Sequence, residues 1–134
     1  MAGNVTKFQR TYTFKPNDTY KTVGLDQAVV YSVNMRDVEV PEQDNLKPVG
    51  VVTYQFADRD MEHVAVQLDG IVMVTAAEDI KFGDDVIVGA GGTVKKAESL
   101  PPGTVANVLG EAQNTVKAGE KAQILIRPKT RIIQ

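Results

Sequence analysis

Apolar and polar residues alternate along most of this chain, which is the pattern of half-buried β-strands. The alternation is clearest in two segments, residues 47–68 and 105–126, that share one arrangement: a strand ending near a glycine, a polar turn and a returning strand. A third hairpin is predicted around the glycine-rich turn Gly89–Gly92, where positive φ is expected. We therefore predict an all-β fold, a small β-barrel or β-sandwich (β-tulip-like), with an extended N-terminal arm and minimal helix.

Three further segments carry specific predictions. A strand is predicted from Ala28 to Val33, with an extension to Val40 left open. The run Ile71–Val74 is apolar at every position, as in a strand buried on both faces. Residues 75–84 are predicted to form one helical turn. In that turn Thr75 would be the cap, with Ile80 and Phe82 as its anchors.

The first residues differ from the rest in their aromatic content, and we divide the chain into an N-terminal arm (1–21) and a barrel-like body (22–134). Residues 5–14 have strong β composition, and such a strand needs a partner edge. That edge belongs either to the chain's own sheet or to another subunit. On the second alternative, residues 2–14 are mobile in the free protein and form a strand on binding. The candidate partner-binding residues of the arm share one face: Phe8, Arg10, Tyr12 and Phe14.

Charge is unevenly distributed, although the net charge is only −2. Residues 1–21 and 127–134 each carry an excess of three positive charges, so the segment between them is eight charges negative. An acidic body argues against a broad nucleic-acid surface. The basic ends are either solvated or reach onto an acidic neighbouring protein, in which case Arg127, Lys129 and Arg131 are candidate contacts.

The sequence contains little that suggests catalysis. Without cysteine, thiolate nucleophiles, disulfides and cysteine metal sites are excluded. His63 follows three acidic residues, but consecutive side chains of a strand point in opposite directions, so we predict no metal site. The turn Gly89–Gly92 precedes a strand and not a helix, so it lacks the geometry of a phosphate cradle. We predict no catalytic residue, no cofactor and no enzymatic activity.

No apolar run approaches the roughly 20 residues of a membrane span. The basic residues near the N-terminus are not followed by the apolar core of a secretory signal. We therefore expect synthesis in the cytoplasm and no membrane partner.

Several segments combine short apolar strands with glycine turns: Val49-Gly50-Val51, the strands of residues 64–74, the Ile80–Val88 segment with its glycine-aspartate turn, Thr93-Val94 and Val108–Ala112. Together they resemble the small capsid cement, or head-decoration, proteins of tailed bacteriophages. The resemblance covers roughly residues 47–127. It implies a β-barrel-like protein on the capsid exterior of a virion, as a homotrimer at threefold positions, which clamps major capsid protein subunits. It also implies a terminal arm that pairs with a capsid strand, and it offers no catalytic residue.

Two other interpretations stay open. One is a different virion or tail structural β-protein. The other is a β-clip or barrel-sandwich module that handles carbohydrate or carries a group on lysine, since similar glycine-aspartate turns occur there. A carrier needs a modifiable lysine at a hairpin tip, but Lys95 and Lys96 lack the flanking methionine or aspartate of such domains.

Overall fold

A computed structural model of the protein describes residues 9–14, 23–32, 37–55 and 63–134. Within these ranges the chain forms ten strands and one short 3₁₀ turn, Ala97–Ser99, arranged in two sheets. No helix in the same ranges is long and apolar enough to cross a membrane. The strands are β1 (Gln9–Phe14), β2 (Ala28–Tyr31), β3 (Asp37–Glu39), β4 (Pro48–Gln55), β5 (His63–Gln67), β6 (Gly70–Thr75), β7 (Asp85–Gly89), β8 (Thr93–Lys96), β9 (Val105–Ala112) and β10 (Lys121–Ile132).

The first sheet is a closed barrel with the strand order β1-β3-β2-β4-β5. Its neighbours are antiparallel except for β1 and β3, which run parallel. The interior is filled by β-branched residues such as Val29, Val52 and Val64, together with Tyr12. Alternate side chains of a strand point to the same face, so valine at every second position fills the barrel interior.

The second sheet has the order β6-β10-β9-β7-β8. Its longest strand, β10, pairs with β6 through its first half and with β9 as far as Ile132, with a bulge between Ile126 and Lys129. The main hydrophobic core contains residues of both sheets, among them Val51 of the barrel and Val74 and Ile124 of the second sheet. This shared core joins the sheets into one body.

The two repeated segments form corresponding hairpins, one in each sheet. Residues 47–68 contain β4 and β5, and residues 105–126 contain β9 and the first half of β10. The predicted hairpin around the glycine turn is β7–β8, in which Gly91 and Gly92 have φ of 84° and 83°. The all-β prediction is therefore confirmed, and so are all three predicted hairpins.

The predicted helical turn of residues 75–84 is wrong. Thr75 ends β6, and Ile80 instead forms an antiparallel bridge with Val116, with N–H to O=C distances of 3.0 and 2.9 Å. Ile80 is fully buried, as an anchor should be, but Phe82 is 67% exposed. Backbone pairing with the loop before β10 thus replaces helical hydrogen bonding here.

Two strand predictions also need correction. Strand β6 is buried on one face only, because it lies at an edge of the second sheet whose outer face is open there: Ile71 and Met73 are 54% and 44% exposed. The segment from Ala28 to Val40 is not one strand, since β2 and β3 are separate and pair with each other. Residues 33–36 between them lie outside the described ranges.

Candidate partner-binding site

The aromatic N-terminal strand belongs to the chain's own barrel. Strand β1 pairs with β5 from Gln9 to Thr13 and with β3 at Thr13 and Phe14, so both of its edges are occupied. The expectation that residues 2–14 are mobile until they bind is therefore wrong for residues 9–14. Of the two alternatives, the chain's own sheet provides the partner edge, because β1 is the strand that closes the barrel.

Because β1 lies in the barrel, the arm's candidate contact residues differ in their exposure. Tyr12 is buried, and its hydroxyl lies 3.1 Å from that of Tyr31. Burial and this hydrogen bond raise the pKa of Tyr12. Arg10 is exposed, with its guanidinium 5.5 Å from the centre of the Tyr12 ring. Phe8 and the side chain of Phe14 lie outside the described residues.

The basic C-terminal residues are part of β10 rather than of a free tail. The Asp85 carboxylate lies 2.8 Å from Arg131 Nη1 and 3.4 Å from Lys129 Nζ, and Arg131 also contacts Glu98. The basic end predicted for residues 127–134 is therefore not free from residue 127 to residue 132, and two of its three cations are balanced within the chain. Arg127 lies next to the bulge, is exposed, and has no ion pair with another described residue.

Beside this bulge is a groove that the sequence did not predict. Its volume is about 340 Å³, and it lies between the start of β4 and the second half of β10. We call it the β4–β10 groove. Its lining residues are Lys47, Pro48, Asn107, Pro128, Lys129 and Thr130. The sequence signals that point to it are the proline interrupting an alternating strand at position 128 and an asparagine suited to positive φ at position 45.

Asn45 fixes one side of the groove. Its side-chain oxygen accepts a hydrogen bond from Asn107 N (2.8 Å), and its side-chain nitrogen donates to Val105 O (2.9 Å). Its own carbonyl accepts from Asn107 Nδ2 at 2.9 Å. The residue has φ of 66°, which asparagine tolerates better than most residues. Asn45 thus occupies the edge of β9 as a neighbouring strand would, and it leads the chain into Lys47 and Pro48.

A second surface of interest is apolar. Ile71 and Met73 of β6 are exposed on the outer face of the second sheet, and Leu125 of β10 lies directly opposite Ile71. We call these three residues the outer apolar patch. An edge strand with exposed apolar side chains and no charge is unusual for an isolated protein, because such edges promote association.

The acidic turns act as backbone caps. Asp79 Oδ1 accepts from Ala118 N at 3.0 Å, Glu120 Oε1 from Lys117 N at 2.8 Å, and Asp84 Oδ2 from Lys81 N at 2.9 Å. Among the described residues, no group of three or more acidic or histidine side chains is arranged to hold a metal ion. The side chain of His63 and residues 56–62 lie outside the description.

The glycine hairpin, β7–β8, has a structural role. Gly92 O accepts from Ala28 N of the barrel at 2.9 Å, and Lys95 Nζ lies 2.9 Å from Asp44 Oδ2. A side chain at position 92 would collide with Gln27, so the close approach requires glycine. The hairpin therefore fastens the second sheet to the barrel, and Lys95 does not extend freely from its tip.

The fold is similar to that of a solved phage structure. It is the head fiber gp8.5 N base of bacteriophage phi29, with a TM-score of 0.63 and 24% sequence identity. The match covers 91% of this chain and 95% of that chain. No protein-family model and no curated protein matches the chain. At this identity the likeness concerns the fold, and it extends over both sheets.

Proposed function

Starting from the shared fold with a phage head fiber base, we propose that this chain is a structural protein of a bacteriophage virion. More specifically, we propose a decoration or cement protein that binds the outer surface of the head and stabilises contacts between major capsid protein subunits. The observation that carries the proposal is the match over almost the whole length of both chains. Fold alone is a weak guide to function, so the surfaces must provide the rest.

The surfaces suit binding to other proteins better than chemistry. The carboxylates of the described loops cap backbone N–H groups, and the ion pairs around Asp85 balance cations within the chain. Among the exposed groups are the apolar edge of β6 and the cations Lys47 and Arg127, which have no ion pair with another described residue. These are features of interaction surfaces. We propose that the protein has no enzymatic activity and needs no cofactor.

The outer apolar patch supports self-association, and we propose that the protein is a homotrimer on the capsid. Burying a side chain such as Ile71 stabilises an interface by about 1.5–3 kcal/mol. A head offers threefold positions at which three copies would place this patch against one another. In solution at low concentration the chain would be a monomer, because three apolar side chains are a small contact compared with the interfaces of obligate oligomers.

A second candidate function follows from what the structural neighbour is. That protein is the base of a head fiber, so this chain would be the base that anchors a longer appendage to the head. Both candidates place the protein on the capsid exterior. They differ in whether further mass projects from the bound copies, which an image of negatively stained heads distinguishes.

The proposal is tested by sedimentation with heads of the phage that encodes this chain, assembled without it. Purified protein is mixed with expanded and with unexpanded heads, and the pellets are quantified across a concentration series. We expect saturation at a fixed ratio to capsid protein, and heads that release their DNA at a higher temperature when the protein is bound. Absence of binding to both forms of the head would exclude a role in decoration.

A further inference from the structure

The β4–β10 groove lies beside an unoccupied strand edge. Strand β6 pairs with β10 only from Lys121 to Ile126, whereas β9 continues to pair with it as far as Ile132. Within the described ranges no strand pairs with the other edge of β10 from Lys129 to Ile132. A free edge of this kind accepts an added strand from another chain, and the main-chain hydrogen bonds supply the affinity.

The side chains around this edge indicate what kind of strand it accepts. Lys47 is exposed on the β4 side of the groove, and Arg127 is exposed at the bulge on the β10 side. Neither has an ion pair with another described residue. A segment lying between these cations is favoured if it carries carboxylates.

The far end of the groove is apolar. Val105 and Ile132 pair directly across β9 and β10, two residue pairs beyond the pair Asn107 and Thr130 that lines the groove. They are 51% and 60% exposed, although they form the end of a sheet face whose other parts are core. A strand added at the edge of β10 would lie next to Ile132, and the alternation of its own residues would direct one set of side chains onto this apolar end.

We propose that the β4–β10 groove and the free edge of β10 receive an extended acidic segment of the capsid subunit, which adds as a strand beside Lys129–Ile132. This inference rests on the proposed function. Three loop carboxylates of this chain, those of Asp44, Asp79 and Glu120, already accept hydrogen bonds from their own chain. This favours a carboxylate-bearing capsid segment over a second copy of the chain as the partner of Lys47 and Arg127.

The test is a charge reversal with a matched control. Lys47→Glu/Arg127→Glu changes the groove, and Lys81→Glu/Lys117→Glu makes the same change in charge at the loops between β6 and β7 and between β9 and β10. All four side chains are exposed and lack an ion pair with another described residue. We expect the groove variant to bind heads at least roughly tenfold more weakly, and the control to stay within about twofold of the parent, because electrostatic complementarity acts locally.

A second measurement separates strand addition from nonspecific attraction. Hydrogen exchange of the backbone amides is compared between the free protein and the head-bound parent protein, and we expect slower exchange within Lys129–Ile132 on binding. The inference is overturned if the parent protein binds heads without slower exchange at these amides and the groove variant binds as tightly as the parent. That result leaves the proposed function standing. The inference is also overturned if both variants lose affinity for heads equally. The same holds if the protein forms an oligomer in solution and only the groove substitutions dissociate it. If the parent protein does not bind heads, the proposed function itself fails.

Discussion

Gly50 and Gly110 occupy corresponding positions in the two repeated hairpins. A Cβ atom added at Gly50 would collide with the carbonyl oxygen of Gln67, and one added at Gly110 would collide with that of Leu125. In each hairpin the returning strand crosses so closely that only a glycine fits. The similarity of the two segments therefore reflects one steric requirement that is met once in each sheet.

The first prediction tests this requirement. Gly110→Ala should lower the free energy of unfolding by about 1–3 kcal/mol, because the backbone of β10 must move to admit the methyl group. Gly24→Ala is the control, since an added Cβ there meets only ordinary contacts with Gln27. Chemical denaturation of the two variants measures the difference. Equal stability of Gly110→Ala and the parent protein would show that the strands separate at little cost.

A second prediction concerns Asn45, which combines positive φ with hydrogen bonds to Val105 and Asn107. Asn45→Gly keeps the backbone conformation accessible but removes the side-chain bonds, which should cost about 1–3 kcal/mol. Asn45→Ala should be less stable still by about 1 kcal/mol, because alanine is strained in the left-handed region. Thermal unfolding of both variants gives this order. A more stable alanine variant would contradict it.

Acid should weaken the attachment of the glycine hairpin. Partial burial tends to raise the pKa of Asp44, but hydrogen bonds from Lys95 and from Ala90 N outweigh it, so the pKa is lowered from 3.8. A carboxyl group whose pKa is lower in the folded than in the unfolded protein stabilises the fold at pH values above its unfolded pKa. This stabilisation is lost as the pH falls through the lower pKa of the folded protein. Asp44→Asn should therefore show a smaller loss of stability than the parent protein as the pH falls below about 3.8. Parallel stability curves would rule this out.

Closure of the barrel by β1 leads to a fourth prediction. Tyr12→Ala should destabilise the protein by about 3–5 kcal/mol, as large aromatic deletions in cores do. Tyr12→Phe keeps the ring and loses only the contact with the Tyr31 hydroxyl, at a cost of about 1 kcal/mol. Denaturant midpoints of the two variants separate the contributions. Full stability of Tyr12→Ala would restore the view that this strand is dispensable to the fold.

Period-2 alternation and glycine spacing were sufficient to predict the all-β fold and all three hairpins, because both follow from local geometry. The failures involve long-range partners. The segment from Thr75 to Phe82 has a composition that permits a helical turn, and only its pairing with Val116, which lies some 35 positions later in the chain, prevents one. Likewise the exposure of Ile71 depends on the position of β6 at a sheet edge, which its own residues do not encode.

The candidate site was predicted less well than the fold. Arg127, Lys129 and Arg131 were identified by charge alone, and charge does not reveal that Asp85 lies next to two of them. Tyr12 was identified as a candidate contact with a partner, whereas it is buried in the chain's own barrel. Pro128 and Asn45 are local signals near the β4–β10 groove, but the groove is formed by residues about 60–80 positions apart, which no local pattern brings together.

The most direct test of the proposed role is a reconstruction of heads assembled without this protein and then incubated with it. The proposed function predicts new density on the outer surface, grouped in threes at threefold positions, with each copy matching the two-sheet body. Absence of added density on heads, or density confined to the tail, would contradict it.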